Sequence, residues 1–246
     1  QQADYQMGIT VTDGISSDAG RLRRCFPHPA VISGDYRDRR EAFECTFLVG
    51  TDGPGIEAGT DAARRALQRA QLDEPNINSG FLRDDADLAI VVVTDEDDAS
   101  QNTAANLEFF NSVKGAGRAS QTKVHAIAGP TTGACGNGTG FFNARPGIRY
   151  RRMTEETGGL FFDICVGDWT PIFDELGLDT FQAFDTFFLS QPAAPSTLRV
   201  FIDGLEIPND PVRGYTYDFG ANAVRLHGDA VPGPGATIDA RYSTQC

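Results

Sequence analysis

The chain is poor in positive charge. Its 246 residues hold 21 lysines and arginines against 34 aspartates and glutamates, a formal net charge of −13. A phosphate backbone binds by releasing its counterions to a positive surface, so this balance argues against nonspecific nucleic-acid binding and favours cations and basic partners. Long apolar runs are missing too: none approaches the roughly 20 residues a bilayer-spanning helix needs, so no membrane span is expected. The opening "QQADYQMGITVTD" has neither a basic start nor an apolar signal core, so an exported form is expected to have shed its leader. Only three histidines occur, His28, His125 and His227, without the spacing of a shared metal or a catalytic triad. Each is expected to be structural or exposed.

Cysteine is present in a telling arrangement. Cys25 and Cys45 form one local pair, Cys135 and Cys165 another, and Cys246 is left over. No spacing matches a zinc knuckle, and each pair brackets a loop rich in turn and charged residues. Two local disulfides in an oxidising compartment are the expectation, with free buried thiols the alternative. The glycine-rich "CGNGTGFFNARPG" lacks the lysine and the helix opening of a phosphate loop. Its Asn137-Gly138-Thr139 is a glycosylation acceptor that matters only in a eukaryotic secretory host.

Along the chain, "YQMGITVT" alternates as a strand should, and a long irregular stretch runs on to Ala42. "AFECTFLVG" is the next strand candidate, followed by a glycine loop and an amphipathic helix over about Ile56 to Ala70. "LAIVVV" is a continuous apolar run of the kind found in parallel strands covered on both faces. A helix over "NTAANLEFFNSVKGAG", a strand over "KVHAIAGP", a helix end and strand over "MTEETGGLFFDIC" and a helix over "WTPIFDELGLDTFQAF" complete the series. Alternating strands and helices predict an α/β sandwich with a mostly parallel sheet over residues 1–186. The remainder, 187–246, reads as a small all-β module of short strands parted by Asp-Gly, Ala-Asn and Pro-Gly turns.

Ligands gather at the carboxyl ends of parallel strands. There "VVVTDEDD" places Asp95 and "VGTDG" places Thr51, a carboxylate and a hydroxyl suited to a hard cation: Mg²⁺, Ca²⁺ or Mn²⁺. These two phrases, with "GITVTDG" and "GTDAARRAL", resemble the von Willebrand factor type A domain, in the branch common among exported bacterial proteins, some of them lipoproteins. The family's metal-ion-dependent adhesion site combines an Asp-x-Ser-x-Ser loop after the first strand, a threonine in a glycine loop, and an aspartate after a later strand. The resemblance spans about residues 5 to 180. It implies a Rossmann-like sandwich, metal ligation by Thr51 and Asp95, and non-enzymatic adhesion to a protein or surface ligand that donates a carboxylate. It also implies a secreted or cell-envelope location, with the β module as an accessory domain.

One departure from the family's pattern is marked. No Asp-x-Ser-x-Ser precedes Thr51, and the chain opens at what matches the family's second strand. The resemblance therefore implies an N-terminally incomplete domain, a cleft where a central strand belongs, and an incomplete metal shell. An upstream segment or another chain is expected to supply the strand and a partner for Cys246. Thr60, in "EAGTDAA", is a rival to Thr51, which is preferred because it directly follows the expected strand. Glu96, Asp97 and Asp98 read as capping and solvating the start of the next helix. Asp13 and Asp52 read as turn residues, and Asp61 as a helix-surface residue. Two other functions stand beside adhesion: a structural shell or fibre subunit assembling by strand exchange, and a metal-dependent hydrolase.

Overall fold

The computed structural model describes residues 4–50, 56–72, 74–84, 86–132, 135, 144–181, 186–232 and 236–244, with the side chains of 178 and 181 excepted. Thr51, Asp52, the Asn137 acceptor and Cys246 lie outside the described residues. The chain divides into two compact units, one of Tyr5–Leu176 and one whose body is Gly177–Cys246. Together they make a mixed α/β protein. None of the described helices is long and apolar enough to cross a membrane.

In the first unit the strands Leu88–Val93 (β3), Thr122–Ala128 (β4) and Phe161–Asp163 (β5) form a parallel sheet in the order β3-β4-β5. The register sets Val91 beside His125 and Val93 beside Ile127. The helices Gly59–Ala70 (α2), Thr103–Ser112 (α3) and Ile148–Thr157 (α4) belong to the same unit. Leu67 of α2, Leu88 of β3, Phe110 of α3, Val124 of β4 and Met153 of α4 meet in one buried cluster. Each such side chain contributes on the order of 1.5–3 kcal/mol by leaving water. Helix α2 suits its place because Ala62, with Ala66 and Leu67 four and five residues further on, lies on one face, and all three are buried. Helix α3 is capped by Asn102, whose side chain accepts a hydrogen bond from Ala105 N at 3.0 Å. Helix α4 ends at Gly158, whose φ of 69° is left-handed and natural to glycine.

Two expected strands come out differently. "YQMGITVT" contributes only Gln6–Gly8 (β1), which pairs antiparallel with Val31–Ser33 (β2) instead of joining the parallel sheet. Strand β2 lies in the stretch read as irregular, where three residues are too few for alternation to stand out. "AFECTFLVG" is not a strand: Arg39–Phe47 is a helix (α1). Its apolar residues satisfy both periods. Phe43, Cys45 and Phe47 alternate, yet Phe43 and Phe47 also stack one turn apart with ring centroids 5.3 Å apart, while Ala42 and Thr46 are buried one turn apart. An Arg40–Glu44 pair at 2.8 Å adds the same spacing on the exposed side. The disulfide Cys25–Cys45, with Cα atoms 5.9 Å apart, ties α1 to the preceding loop.

A second disulfide, Cys135–Cys165, spans Cα atoms 5.8 Å apart. Both expected pairings are therefore present, as suits an oxidising, extracytoplasmic setting. Helix Thr170–Phe181 (α5) carries the boundary between the units.

The second unit is all-β after that helix. Thr186–Phe188 (β6), Arg199–Ile202 (β7), Leu205–Ile207 (β8), Tyr215–Asp218 (β9), Ala223–Leu226 (β10) and Ile238–Arg241 (β11) form two three-stranded sheets, β6-β10-β9 and β11-β7-β8. The pairings are antiparallel throughout. Leu198, Val200, Tyr215, Val224 and Leu226 form the core. Asp203 and Gly204, at φ of 50° and 82°, close the β7–β8 hairpin between the paired Ile202 and Leu205. Positive φ at both turn residues is why Asp-Gly marks such hairpins in sequence.

Alkylation of the denatured chain followed by mass spectrometry should label Cys25, Cys45, Cys135 and Cys165 only after reduction. Labelling of any of the four without reductant would show its disulfide to be absent.

Candidate functional site

The acidic stretch after β3 is organised around one residue. Asp98 is 2% exposed, and its carboxylate accepts hydrogen bonds from Thr60 Oγ1 at 2.5 Å and Ser100 Oγ at 2.7 Å. It also accepts from the backbone N–H groups of Thr60, at 3.4 Å, and Ser100, at 3.3 Å. The two hydroxyls are used twice. Thr60 Oγ1 accepts from Asn106 Nδ2 at 2.8 Å, and Ser100 Oγ accepts from Asp61 N at 2.9 Å. Thr60, Ser100 and Asn106 are 1%, 1% and 0% exposed, so the network is dry; the Oδ1 of Asn106 is its one polar atom without a partner among the described residues.

This geometry redirects the expected capping. Asp98 and Ser100 accept from the amides of Thr60 and Asp61, in the first turn of α2, so they cap that earlier helix from a distant loop. The next helix, α3, is left to Asn102. Asp97 instead accepts from Arg149 N at 2.9 Å, in the first turn of α4. Glu96 pairs with Arg145 at 3.0 Å. Arg149 Nη1 donates to the carbonyls of Asp98 and Ser100 at 2.7 and 3.1 Å, which locks the loop to α4. Asp61 does more than face solvent: it accepts from Asn106 Nδ2 at 2.8 Å and lies 3.8 Å from Arg64.

Tyr150 of α4 completes the floor. It is fully buried, and its hydroxyl accepts from Gly59 N at 3.1 Å, at the start of α2. A side chain at position 59 would meet that hydroxyl at 2.4 Å, so glycine is required there for closeness. Burial first, and the carboxylate of Asp98 second, push the Tyr150 phenol far above its ordinary range. Ahead of α2, Glu57 accepts from Thr94 Oγ1, and its carbonyl accepts from Ala99 N at 2.7 Å. The segment before α2 and the loop after β3 are therefore bound together along their length.

Asp95 sits at the turn leaving β3 with an exposed side chain, and its carbonyl accepts from Arg145 N at 2.7 Å. Thr51 lies outside the described residues; the threonine brought to an aspartate here is Thr60, its rival in sequence. Asp13 is a turn residue, accepting from the amides of Ile15 and Ser16 at 2.9 and 3.0 Å. Hydrogen bonds from Ser16 and Ile15 hold its carboxyl below the usual range. The histidines lie apart: His28 bonds Tyr36 at 3.1 Å, His125 accepts from Leu160 N at 3.1 Å, and His227 bonds Thr216 at 2.8 Å.

For a hard cation the donor types around α2 and β3 fit, being carboxylate and hydroxyl oxygens. The Asp98 oxygens are committed to internal bonds, so an ion there would compete with Thr60 and Ser100. Asp95 is the carboxylate of this loop that points to solvent without an ion pair among the described residues. One group of three closely placed donors does occur, Cys135, Asp163 and Cys165, within 4.8 Å of one another. Its two sulfurs are joined as a disulfide and are not thiolate ligands.

No family model, no curated protein and no solved structure matches this chain. The resemblance to the von Willebrand type A domain thus rests on the quoted residues alone.

Two outcomes are expected from substitution here. Asp98→Ala removes the acceptor shared by two buried hydroxyls and the Thr60 amide of α2, and should cost about 2–4 kcal/mol in denaturant melts, against about 0.5 kcal/mol or less for Asp95→Ala. Tyr150→Phe leaves Gly59 N–H without its acceptor and should cost about 1–3 kcal/mol. The raised phenol pKa has a definite sign: its contribution is complete below the unfolded tyrosine value of about 10 and is lost as pH rises above it, because only the unfolded chain then ionises. In Tyr150→Phe the alkaline decline in stability should be shallower.

Proposed function

We propose that the chain is a non-enzymatic interaction protein of the von Willebrand factor A type, secreted or held at the cell envelope, that binds a protein or surface ligand through a divalent cation. One juxtaposition carries the reading. The loop bearing Asp95 is fastened to the start of α2, which follows the glycine-rich stretch containing Thr51 in sequence, by the Asp98–Thr60 and Ala99–Glu57 bonds. Parallel-sheet proteins collect ligands at that edge. The oxygen-only chemistry suits Mg²⁺ first, with Ca²⁺ and Mn²⁺ as alternatives.

In this reading Thr51 and Asp95 hold part of the cation's shell, directly or through water, and the ligand's carboxylate takes an open position. The cation supplies the charge that a carboxylate-bearing partner needs on a surface otherwise rich in acids. The buried Asp98 network holds the loop in place and is not itself the ligand set. The disulfides support an extracytoplasmic location. The β module serves as a spacer or a second contact surface. A second reading, a shell or fibre subunit assembling by strand exchange, is favoured by β3, which pairs on one side only among the described strands.

Thermal melting with Mg²⁺, Mn²⁺, Ca²⁺ or chelator tests the cation reading. An ion at ten times its Kd should raise the midpoint by about 3–6 °C, and Asp95→Ala should abolish the rise. Equal midpoints in all four conditions, or a rise that survives Asp95→Ala, would sink it.

A further inference from the structure

One short segment ties together the carboxyl ends of the three parallel strands. Residues Ala144 to Gly147 cross this edge of the sheet just before α4 begins. On the β3 side, Arg145 N donates to Asp95 O at 2.7 Å, and the Arg145 guanidinium meets Glu96 at 3.0 Å. On the β4 side, Pro146 pairs with Gly129, one residue beyond that strand, and Gly147 N donates to Gly129 O at 3.0 Å. The two backbones approach so closely that a side chain at position 129 would collide with Arg145 O, so glycine is needed there.

Toward β5 the link is covalent. Ala144, itself buried, pairs with Cys135, and Cys135 is joined to Cys165, two residues beyond β5. Cys165 N donates back to Asp163 Oδ1 at 2.9 Å, and Ile164 N donates to Ala128 O of β4 at 2.9 Å. Consecutive contacts therefore run from Cys165 through Cys135, Ala144 and Arg145 to Asp95.

The steps of this route differ in strength. The Ala144 and Pro146 pairings are isolated bridges outside any named strand, so no neighbouring ladder supports them. A lone bridge opens readily when its ends are free to part. The disulfide removes that freedom at Cys135 by fixing it to a strand end of the sheet. Asp95 depends on the outcome, because its side chain faces solvent and the donor to its carbonyl is Arg145 N.

We propose that Arg145 is a positioning residue for a divalent cation at Asp95, and that the Cys135–Cys165 disulfide holds Arg145 in place. The affinity of the site then depends on a covalent bond whose ends lie 40 and 70 residues from Asp95 along the chain. The Arg145 amide fixes the Asp95 backbone. Its guanidinium engages Glu96, which leaves Asp95 as the acid of this pair open to an ion. Without the disulfide, Ala144 to Gly147 drift, and the ion must order the loop as it binds, which weakens binding. This inference rests on the cation reading and adds to it the device that keeps the site rigid.

Cys135→Ser with Cys165→Ser, in the full chain with Cys25–Cys45 intact, tests it. Serine is preferred to a reductant because free thiolates beside Asp163 would form a rival metal site. The first readout is amide hydrogen exchange by NMR in chelator. The Arg145 and Gly147 amides should exchange on the order of tenfold or more faster in the variant, while Leu67 and Phe110, in α2 and α3, keep their rates. The second readout is the rise in melting midpoint with Mg²⁺. Affinity should fall on the order of tenfold, which at ten times the original Kd cuts the rise by about two thirds. Arg145→Ala, with the disulfide intact, should also lower the rise, and Arg145→Lys should restore it, since the contact with Glu96 is a single one that an ammonium can make.

Unchanged exchange at Arg145 and Gly147, or faster exchange with an undiminished Mg²⁺ rise, would each overturn the proposal. If Leu67 and Phe110 lose protection in the serine variant, the alanine and lysine variants decide: an equal rise in both refutes it. Absence of any Mg²⁺ rise in the unaltered chain marks failure of the cation reading, and the exchange rates then still report whether the disulfide holds Asp95.

Discussion

The buried carboxylate of Asp98 is the point on which the arrangement of the first unit turns. A charge taken out of water is costly unless several donors surround it. Here two hydroxyls and two amides supply that company, two of the donors from Thr60 in α2, 38 residues away along the chain, and two from Ser100 in the loop itself. The arrangement works in both directions. Asp98 needs the donors, and the first turn of α2 needs acceptors for amides that no intrahelical carbonyl can reach. Each side of the contact satisfies the other, which fastens the end of β3 to the start of α2. Arg149 and Tyr150 then bring α4 to the same place.

That fastening gives the exposed acid its character. Asp95, three residues before Asp98, is held on a loop that cannot drift, because its carbonyl and the residues after it are bonded to Arg145, Arg149 and Glu57. A solvent-facing carboxylate on a fixed loop is a better candidate for holding an ion than one on a mobile turn, since less freedom is lost on binding.

Elements with one strong period were legible from residues alone. "LAIVVV" and "KVHAIAGP" gave β3 and β4, the amphipathic period after the glycine punctuation gave α2, and Asp203-Gly204 gave a hairpin, because each pattern fits one conformation only. The pairing of Cys25 with Cys45 and of Cys135 with Cys165 followed from their spacing. "AFECTFLVG" was illegible because its apolar residues satisfy both the strand and the helix period, and only burial of Ala42 and Thr46 together decides between them. Strand β2 was too short to show a period at all.

What the sequence by itself determined is therefore local: which segments are apolar on which period, where turns must fall, and that acids crowd the end of one strand. What tertiary structure decided is the division of labour among those acids. Sequence set Asp95 apart as the expected ligand and grouped Glu96, Asp97 and Asp98 as caps of the next helix, with Thr60 and Thr51 as rivals 35 and more residues away. Folding buried Asp98 against Thr60, gave Asp97 to the first turn of α4 and Glu96 to Arg145, and left Asp95 in water. The physical reason is that partners for a buried charge are chosen by proximity in space, which no pattern along a single strand or helix encodes.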